Sequence, residues 1–280
     1  MIKSILVCSD GSPHSQAAIE YAIELSSRLE ARLMGLHVLD SRMLEGPLMA
    51  DISGWIGAQP YGAQLQQFRD LLQQRGEAVI QAFYEACDRH GVKGEGIVRM
   101  GHPARVIVEE EAKAELLVLG QKGEHVDLIG DLMGSNAERI VRQSVKPCLV
   151  TPAEYRPIRK ILAAYDGSGH ASQALHEAAE LAKAADMELA IVAIADHDNR
   201  KQVENTVKDA VRLAADHGVE ATSHIEEGDV VDLILSKADE LQSDLIVMGA
   251  YGHGRIREMI LGSTTTQIIA TSERPVMLVR

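Results

Sequence analysis

The sequence predicts an α/β protein. It reads as two tandem three-layer αβα domains, each a mostly parallel five-stranded sheet with helices on both faces. Three observations lead there. Short apolar runs alternate with helix-patterned stretches along the whole chain. Hydrophobic residues make up 46% of the 280 residues but aromatics only 3%, so the core is built from Ala, Val, Ile and Leu, which suits helices packed on a buried parallel sheet. The chain also repeats itself. KSILVCSDGS (3–12) matches RKILAAYDGS (159–168), AELLVLGQKG (114–123) matches SDLIVMGAYG (243–252), and KPCLV (146–150) matches RPVMLV (274–279).

The elements of the first copy follow in order. Ile5-Leu6-Val7 is a continuous apolar run, as expected of a strand buried on both faces. Ser12-Pro13 starts a helix, with Ser at the cap and Pro at the first helical position. Ala18, Ala22, Leu25 and Leu29 continue it at helical spacing. Leu33–Val38 is a strand, a helix is expected around 70–90, and a strand near 95–99. Val106–Lys113 reads as helix, Leu116–Leu119 as a strand, Ser135–Gln143 as helix and Cys148–Val150 as the closing strand. The second copy repeats this order at 160–165, 170–185, 189–194, 201–217, 221–225, 230–241, 244–248, 263–272 and 275–279.

The expected domains are 1–153 and 158–280, separated by Pro152–Pro157 with its two prolines. Copy one is about 29 residues longer, judged from the change in repeat offset. The insertion, at about 41–69, contains Leu44, Leu48, Met49, Ile52, Trp55, Ile56, Tyr61 and Phe68. Such an apolar segment reads as a lid or interface element, or as a connection packed on its own domain.

Composition excludes several classes. A formal net charge of −13, without a basic run, disfavours nucleic acid as a partner. No stretch approaches a membrane span, and MIKSILVCSDGS lacks the pattern of a secretory signal, so a soluble cytoplasmic protein is expected. Cys8, Cys87 and Cys148 are too few and odd in number for a disulfide framework; Cys8 and Cys148 sit in strand-like runs and read as buried thiols. His37 reads as a satisfied imidazole in a strand. Asp196-His197-Asp198 reads as a solvated loop, and no metal site is assigned.

In an open α/β sheet, ligands bind beyond the carboxyl ends of the strands, at the switch in strand order. There the second copy carries Gly249, Gly252, His253, Gly254 and Arg255, then Gly262, Ser263 and Thr264 opening a helix. Glycines let backbone approach a ligand, successive N–H groups form an anion-binding nest, and a helix N-terminus adds donors and a positive dipole end. His253 is a plausible phosphate neighbour. There is no Walker-type loop, and Gly252-His253-Gly254 lacks the third glycine of the dinucleotide fingerprint.

This G-x2-G-x9-G-[ST] pattern, with Asp-Gly-Ser ending the first strand of each copy and Gly101-His102-Pro103 before a helix, resembles the universal stress protein family over nearly the whole chain. The resemblance implies a site for ATP (or ADP or AMP), with or without Mg, mainly in the C-terminal domain. Asp166 would lie near the adenosine, Ile194 against the base, Met248 and Gly249 beside the ribose, and Gly252, Gly262, Ser263 and Thr264 at the phosphates. It also implies that the two domains pair within the chain, as a pseudo-dimer, through Cys148–Val150 and Val276–Val279. A homodimer of chains stays open.

Copy one keeps Asp10, Val38, Gly120, Gly123, Gly134, Ser135 and Asn136 at matching places, but ten residues rather than nine separate Gly123 from Gly134. Its loop carries Glu124, Asp127 and Asp131, where copy two has Arg255 and Arg257 with Glu258. Weaker or absent nucleotide binding is therefore expected in copy one. No general base or nucleophile stands out. Slow ATP hydrolysis or autophosphorylation, known for some relatives, stays open, with Ser263 and Thr264 the nearest hydroxyls. The alternatives are a scaffold whose glycine motif is structural, a binder of another small ligand in the N-terminal domain, and an ATP-using enzyme of a related α/β class.

Overall fold

The computed structural model of the chain describes residues 2–45, 61–123, 133–195, 199–250 and 261–280, with 44–45 and 61–65 described through their backbone alone. In chain order the first domain contains β1 (Ser4–Cys8), α1 (Pro13–Leu29), β2 (Arg32–Asp40), α2 (Arg42–Glu45), α3 (Tyr61–His90), β3 (Gly94–Gly101) and α4 (Pro103–Glu110). A 3₁₀ turn (Glu111–Lys113), β4 (Leu116–Gly120), α5 (Ser135–Gln143) and β5 (Cys148–Thr151) complete it. The second contains β6 (Lys160–Ala164), α6 (Gly169–Ala184), β7 (Glu188–Ala195), α7 (Arg200–Asp216), β8 (Ala221–Glu227), α8 (Val230–Glu240), β9 (Leu245–Gly249), α9 (Ser263–Thr271) and β10 (Val276–Val279).

The strands form one ten-stranded sheet in the order β3-β2-β1-β4-β5-β10-β9-β6-β7-β8. Every pairing is parallel except β5–β10, which sets Val150 opposite Val276, Leu149 opposite Met277 and Cys148 opposite Leu278. Successive strand side chains point to opposite faces. Ile5 and Val7 therefore join α1, α3, α6 and α7 in one apolar core, while Leu6 joins α4, α5, α8 and α9 in the other. Both cores run across the two domains without a break.

Helix α1 begins as its sequence directs: the Ser12 hydroxyl accepts the Ser15 N–H at 3.3 Å, and Pro13 occupies the first turn. Ser168 does the same for α6, accepting from Ala171 N at 3.1 Å. Helix α3 differs from its expectation. It starts at Tyr61 rather than near 70, so part of the insertion is helical. Its exposed early turns carry side-chain hydrogen bonds at i,i+4 spacing, Gln66–Asp70 at 2.8 Å and Gln73–Glu77 at 3.0 Å, while Leu72, Ile80, Phe83 and Cys87 bury the sheet-facing side.

The segment between the domains is strapped to α1. The Tyr21 hydroxyl donates to Glu154 O and accepts from Arg156 N, and the Glu24 carboxylate accepts Ile158 N at 3.0 Å. Arg28 pairs with Glu24 at 3.0 Å and also donates to the carbonyls of Ile158 and Ala185. The Tyr155 ring packs edge-on against Tyr21, centroids 4.9 Å apart.

Candidate functional site

In each domain the strand order reverses beside the first strand, between β1 and β4 and between β6 and β9. These are the crevices where an α/β sheet receives ligands. The turn after the first strand is built identically in both. Asp10 Oδ1 accepts Ser12 N at 3.0 Å, and Asp166 Oδ1 accepts Ser168 N at 2.9 Å. The intervening glycines, Gly11 (φ 86°) and Gly167 (φ 81°), take the left-handed conformation such a turn requires.

The glycines of the motif divide into two kinds. Gly120 and Gly249 end β4 and β9 against the first turn of the facing helix. A Cβ on Gly120 would lie 2.8 Å from His14 Cβ and 2.9 Å from its carbonyl carbon; on Gly249 it would lie 3.0 Å from both His170 Cβ and its carbonyl carbon. Strand–helix packing alone accounts for these two. Gly134 and Gly262 are the N-caps of α5 and α9, with φ −59°, ψ 136° and φ −58°, ψ 142°, conformations open to any residue. Among the described residues, a Cβ on Gly134 would meet nothing closer than 3.5 Å, and on Gly262 nothing closer than 3.4 Å. Neither supplies a capping side chain, so the first N–H groups of both helices are left without intrahelical partners. Gly123 is intermediate: its missing Cβ makes room for Asp10 Oδ2, 2.9 Å away.

In the N-terminal domain these parts enclose a cavity of about 320 Å³. It is lined by Asp10, Val38, Gly120, Gly123, Gly134, Ser135 and Asn136, so all seven positions singled out in copy one converge on it. Its apolar wall comes from Leu36, Leu39, Leu72, Ile107 and Leu119, and its polar groups include His37, Asp40, Arg42, Arg75 and Lys122. Arg42 and Met43 precede the undescribed residues 46–60 and Leu72 and Arg75 follow them, so the described flanks of the insertion border the cavity. Sequence reasoning missed these cations: Arg42 and Arg75 stand far from the glycines in sequence, and Lys122, between Gly120 and Gly123, has no cationic counterpart in copy two, where Tyr251 takes its place.

The electrostatics are mixed. Arg42 holds Asp40 with Nε at 2.9 Å from Oδ1; burial opposes ionisation, but these hydrogen bonds win and keep the carboxyl below its usual range. Burial, aided by the Lys122 ammonium, lowers His14. His37 is buried, and its Nδ1 lies 2.8 Å from Ser9 O, in keeping with the satisfied imidazole read from the sequence. Cys8 at the cavity wall is held protonated, chiefly by burial.

In the C-terminal domain the described part of the expected site occupies the same frame. Asp166 follows β6, Ile194 stands half-buried near the end of β7, and Met248 and Gly249 end β9. Gly262, Ser263 and Thr264 open α9, and the Thr265 hydroxyl ties that end to Ala250 O at 3.4 Å. Gly252, His253, Gly254 and Arg255 lie outside the described residues, as do Arg257 and Glu258, the acidic Glu124, Asp127 and Asp131, Asp196-His197-Asp198, and Leu48, Met49, Ile52, Trp55 and Ile56 of the insertion.

Comparison with known proteins follows the same division into two units. A family model described as the universal stress protein family matches residues 1–152 and again 157–280. The chain belongs to the universal stress protein family. It is 30% identical over 290 residues to a universal stress protein of a Synechocystis strain, the alignment covering 100% of each chain. It is 24% identical to one of Mycolicibacterium smegmatis, covering 99% of this chain and 96% of that one. A solved universal stress protein structure from Archaeoglobus fulgidus superposes with a TM-score of 0.75 at 22% identity, covering 99% and 98% of the two chains, and shares the tandem fold. Among the described residues no helix is long and apolar enough to cross a membrane.

Proposed function

We propose that this universal stress protein binds an adenine nucleotide at the carboxyl ends of its strands. The C-terminal domain supplies one site, from Asp166, Ile194, Met248, Gly249, Gly262, Ser263 and Thr264. The N-terminal cavity supplies the second, from Asp10, Val38, Gly123, Gly134, Ser135 and Asn136. One observation carries the reading: Gly134 and Gly262 are glycine where, among the described residues, neither backbone conformation nor packing requires it. What their missing side chains leave open is the approach to uncapped helix N–H groups, where a phosphate is stabilised by direct hydrogen bonds and the helix dipole.

The wall of the N-terminal cavity suits the rest of such a ligand. Val38, Leu36 and Ile107 offer an apolar surface for a base, and Asp10 an acceptor for ribose hydroxyls. Its volume of about 320 Å³ falls at the lower end of small-molecule sites, roughly 300–1,000 Å³. Lys122, Arg42 and Arg75 line the cavity with Asp10 and Asp40, and this positive charge favours an anionic ligand.

Native mass spectrometry of the full chain titrated with ATP tests the reading. Up to two nucleotides per chain are expected, one fewer in Gly134→Val and one fewer in Gly262→Val. A chain that takes up neither ATP nor ADP overturns it and favours a scaffold whose motif shapes the turns only.

A further inference from the structure

Resting on that reading of two sites, we infer that Gln121 couples them. Gln121 is buried and lies between the two glycines of the N-terminal loop. Its carbonyl accepts Gly134 N at 3.0 Å, fixing the N-cap of α5 at the N-terminal cavity, and its own N–H donates to Thr151 O at 2.8 Å. Its side-chain amide crosses the domain boundary and donates to the carbonyl of Ile269. Ile269 stands in the last turn of α9, where carbonyls lack intrahelical donors. Gln121 thus caps the far end of the helix whose near end opens the C-terminal site.

One residue therefore connects the N-cap of one site helix to the C-terminal turn of the other. A ligand that draws on the α5 N-terminus bears on Gly134, on the Gln121 backbone hydrogen-bonded to it, and through the buried side chain on α9. The chemistry does not repeat in reverse. Ala250 takes the place of Gln121 in copy two and has no amide to offer, and the end of α5 is held instead by Arg280, which donates to Ser144 O at 2.9 Å. Gln121 is a positioning residue for the C-terminal site, and ligand in the N-terminal cavity stabilises α9 through it.

Hydrogen exchange of the full chain decides the matter. In a Gly262→Val background ATP enters the N-terminal cavity alone, so any slowing in the 267–273 segment is transmitted. Slowing of about fivefold, the lower end of ordinary coupling between sites, is expected. It should vanish in Gly262→Val with Gln121→Met, which keeps the bulk and removes the donor, and return with Gln121→Lys, which restores one. Equal slowing in the Gln121→Met protein overturns the inference and leaves the two-site reading intact. Native mass spectra showing no ATP on Gly262→Val overturn both the N-terminal site and the coupling built on it.

Discussion

The division of the motif glycines makes a prediction about stability that runs opposite to one about binding. An alanine at Gly120 forces its Cβ to 2.8 Å from His14 Cβ and 2.9 Å from a backbone carbon, atoms that move only if strand β4 and helix α1 separate. Overpacking of this kind costs about 1–3 kcal/mol. In a chain of this size about 1 kcal/mol lowers Tm by roughly 2–4 °C, so a cost of about 2 kcal/mol gives a fall of roughly 4–8 °C. Gly249→Ala, with its contacts at 3.0–3.1 Å, should lose somewhat less. Gly134→Ala and Gly262→Ala meet ordinary contacts at φ near −60° and should lose no more than about 1 kcal/mol, the cost of alanine at an N-cap offset in part by a stiffer unfolded chain. ATP should reverse the ranking. At about 100 times Kd a site adds about 2.7 kcal/mol, visible as a rise in Tm. Gly134→Val and Gly262→Val, each compared with its own Tm without ATP, should each lose one site's share of that rise. The assay is thermal unfolding with and without ATP. If Gly134→Ala lost as much stability without ATP as Gly120→Ala, the fold would need that glycine, and the argument that its missing side chain serves a ligand would collapse.

Two further outcomes follow from the same contacts. Glu24→Ala removes the carboxylate that accepts Ile158 N and pairs with Arg28, and hydrogen bonds to a charged group are worth about 1.5–3 kcal/mol. The variant should unfold at lower temperature and be cut faster by trypsin after the exposed Arg159; unchanged cleavage would show that the strap does not hold the linker. Burial pushes the Cys87 thiol up to about 11 and Cys148 up to about 12. The folded state therefore holds these protons more tightly than the unfolded state, so their contribution is complete below pH 9.0 and is lost as pH rises from there towards about 12. Tm measured upward from pH 9.0 should fall less in Cys148→Ala than in the wild type, compared with each protein's own value at pH 9.0. Equal slopes would show that Cys148 does not titrate with unfolding.

The fold was legible because its signals are local. Ile5-Leu6-Val7 reads as a strand buried on both faces, and Ser12-Pro13 could cap a helix without help from elsewhere. The repeat then carried each element from one copy to the other. Helix α3 was legible only where it meets the sheet: Leu72, Ile80, Phe83 and Cys87 give an apolar face, whereas residues 66–71 before it are exposed or half-buried and give no period. The strap was hidden for another reason. Tyr21, Glu24 and Arg28 read as one helix with a mixed face, and their partners lie more than a hundred positions away. PAEYRP reads as a boundary, but nothing in it announces that its backbone is bound on both sides of Tyr155. At the candidate site the glycines and Asp10 were visible as a motif, and Lys122 lay inside it unremarked, while Arg42 and Arg75 became neighbours of that motif only through the fold.

The sheet explains why two such similar domains could come to differ. In a symmetric dimer of identical chains, any residue that crosses the interface crosses it twice, so a change on one side is made on both. Here β5 and β10 join the two units inside one chain, and the crossing positions are free to hold different residues. They do: Gln121 reaches Ile269, the equivalent Ala250 has no side-chain donor to do the same, and Arg280 secures Ser144 in the other direction. The backbone frame of the two sites is therefore shared, down to the Asp-Gly-Ser turn and the glycine N-caps, while the side chains joining them are not. Fusion turns a contact that symmetry would duplicate into a contact with a direction, and Gln121 is where that direction is written.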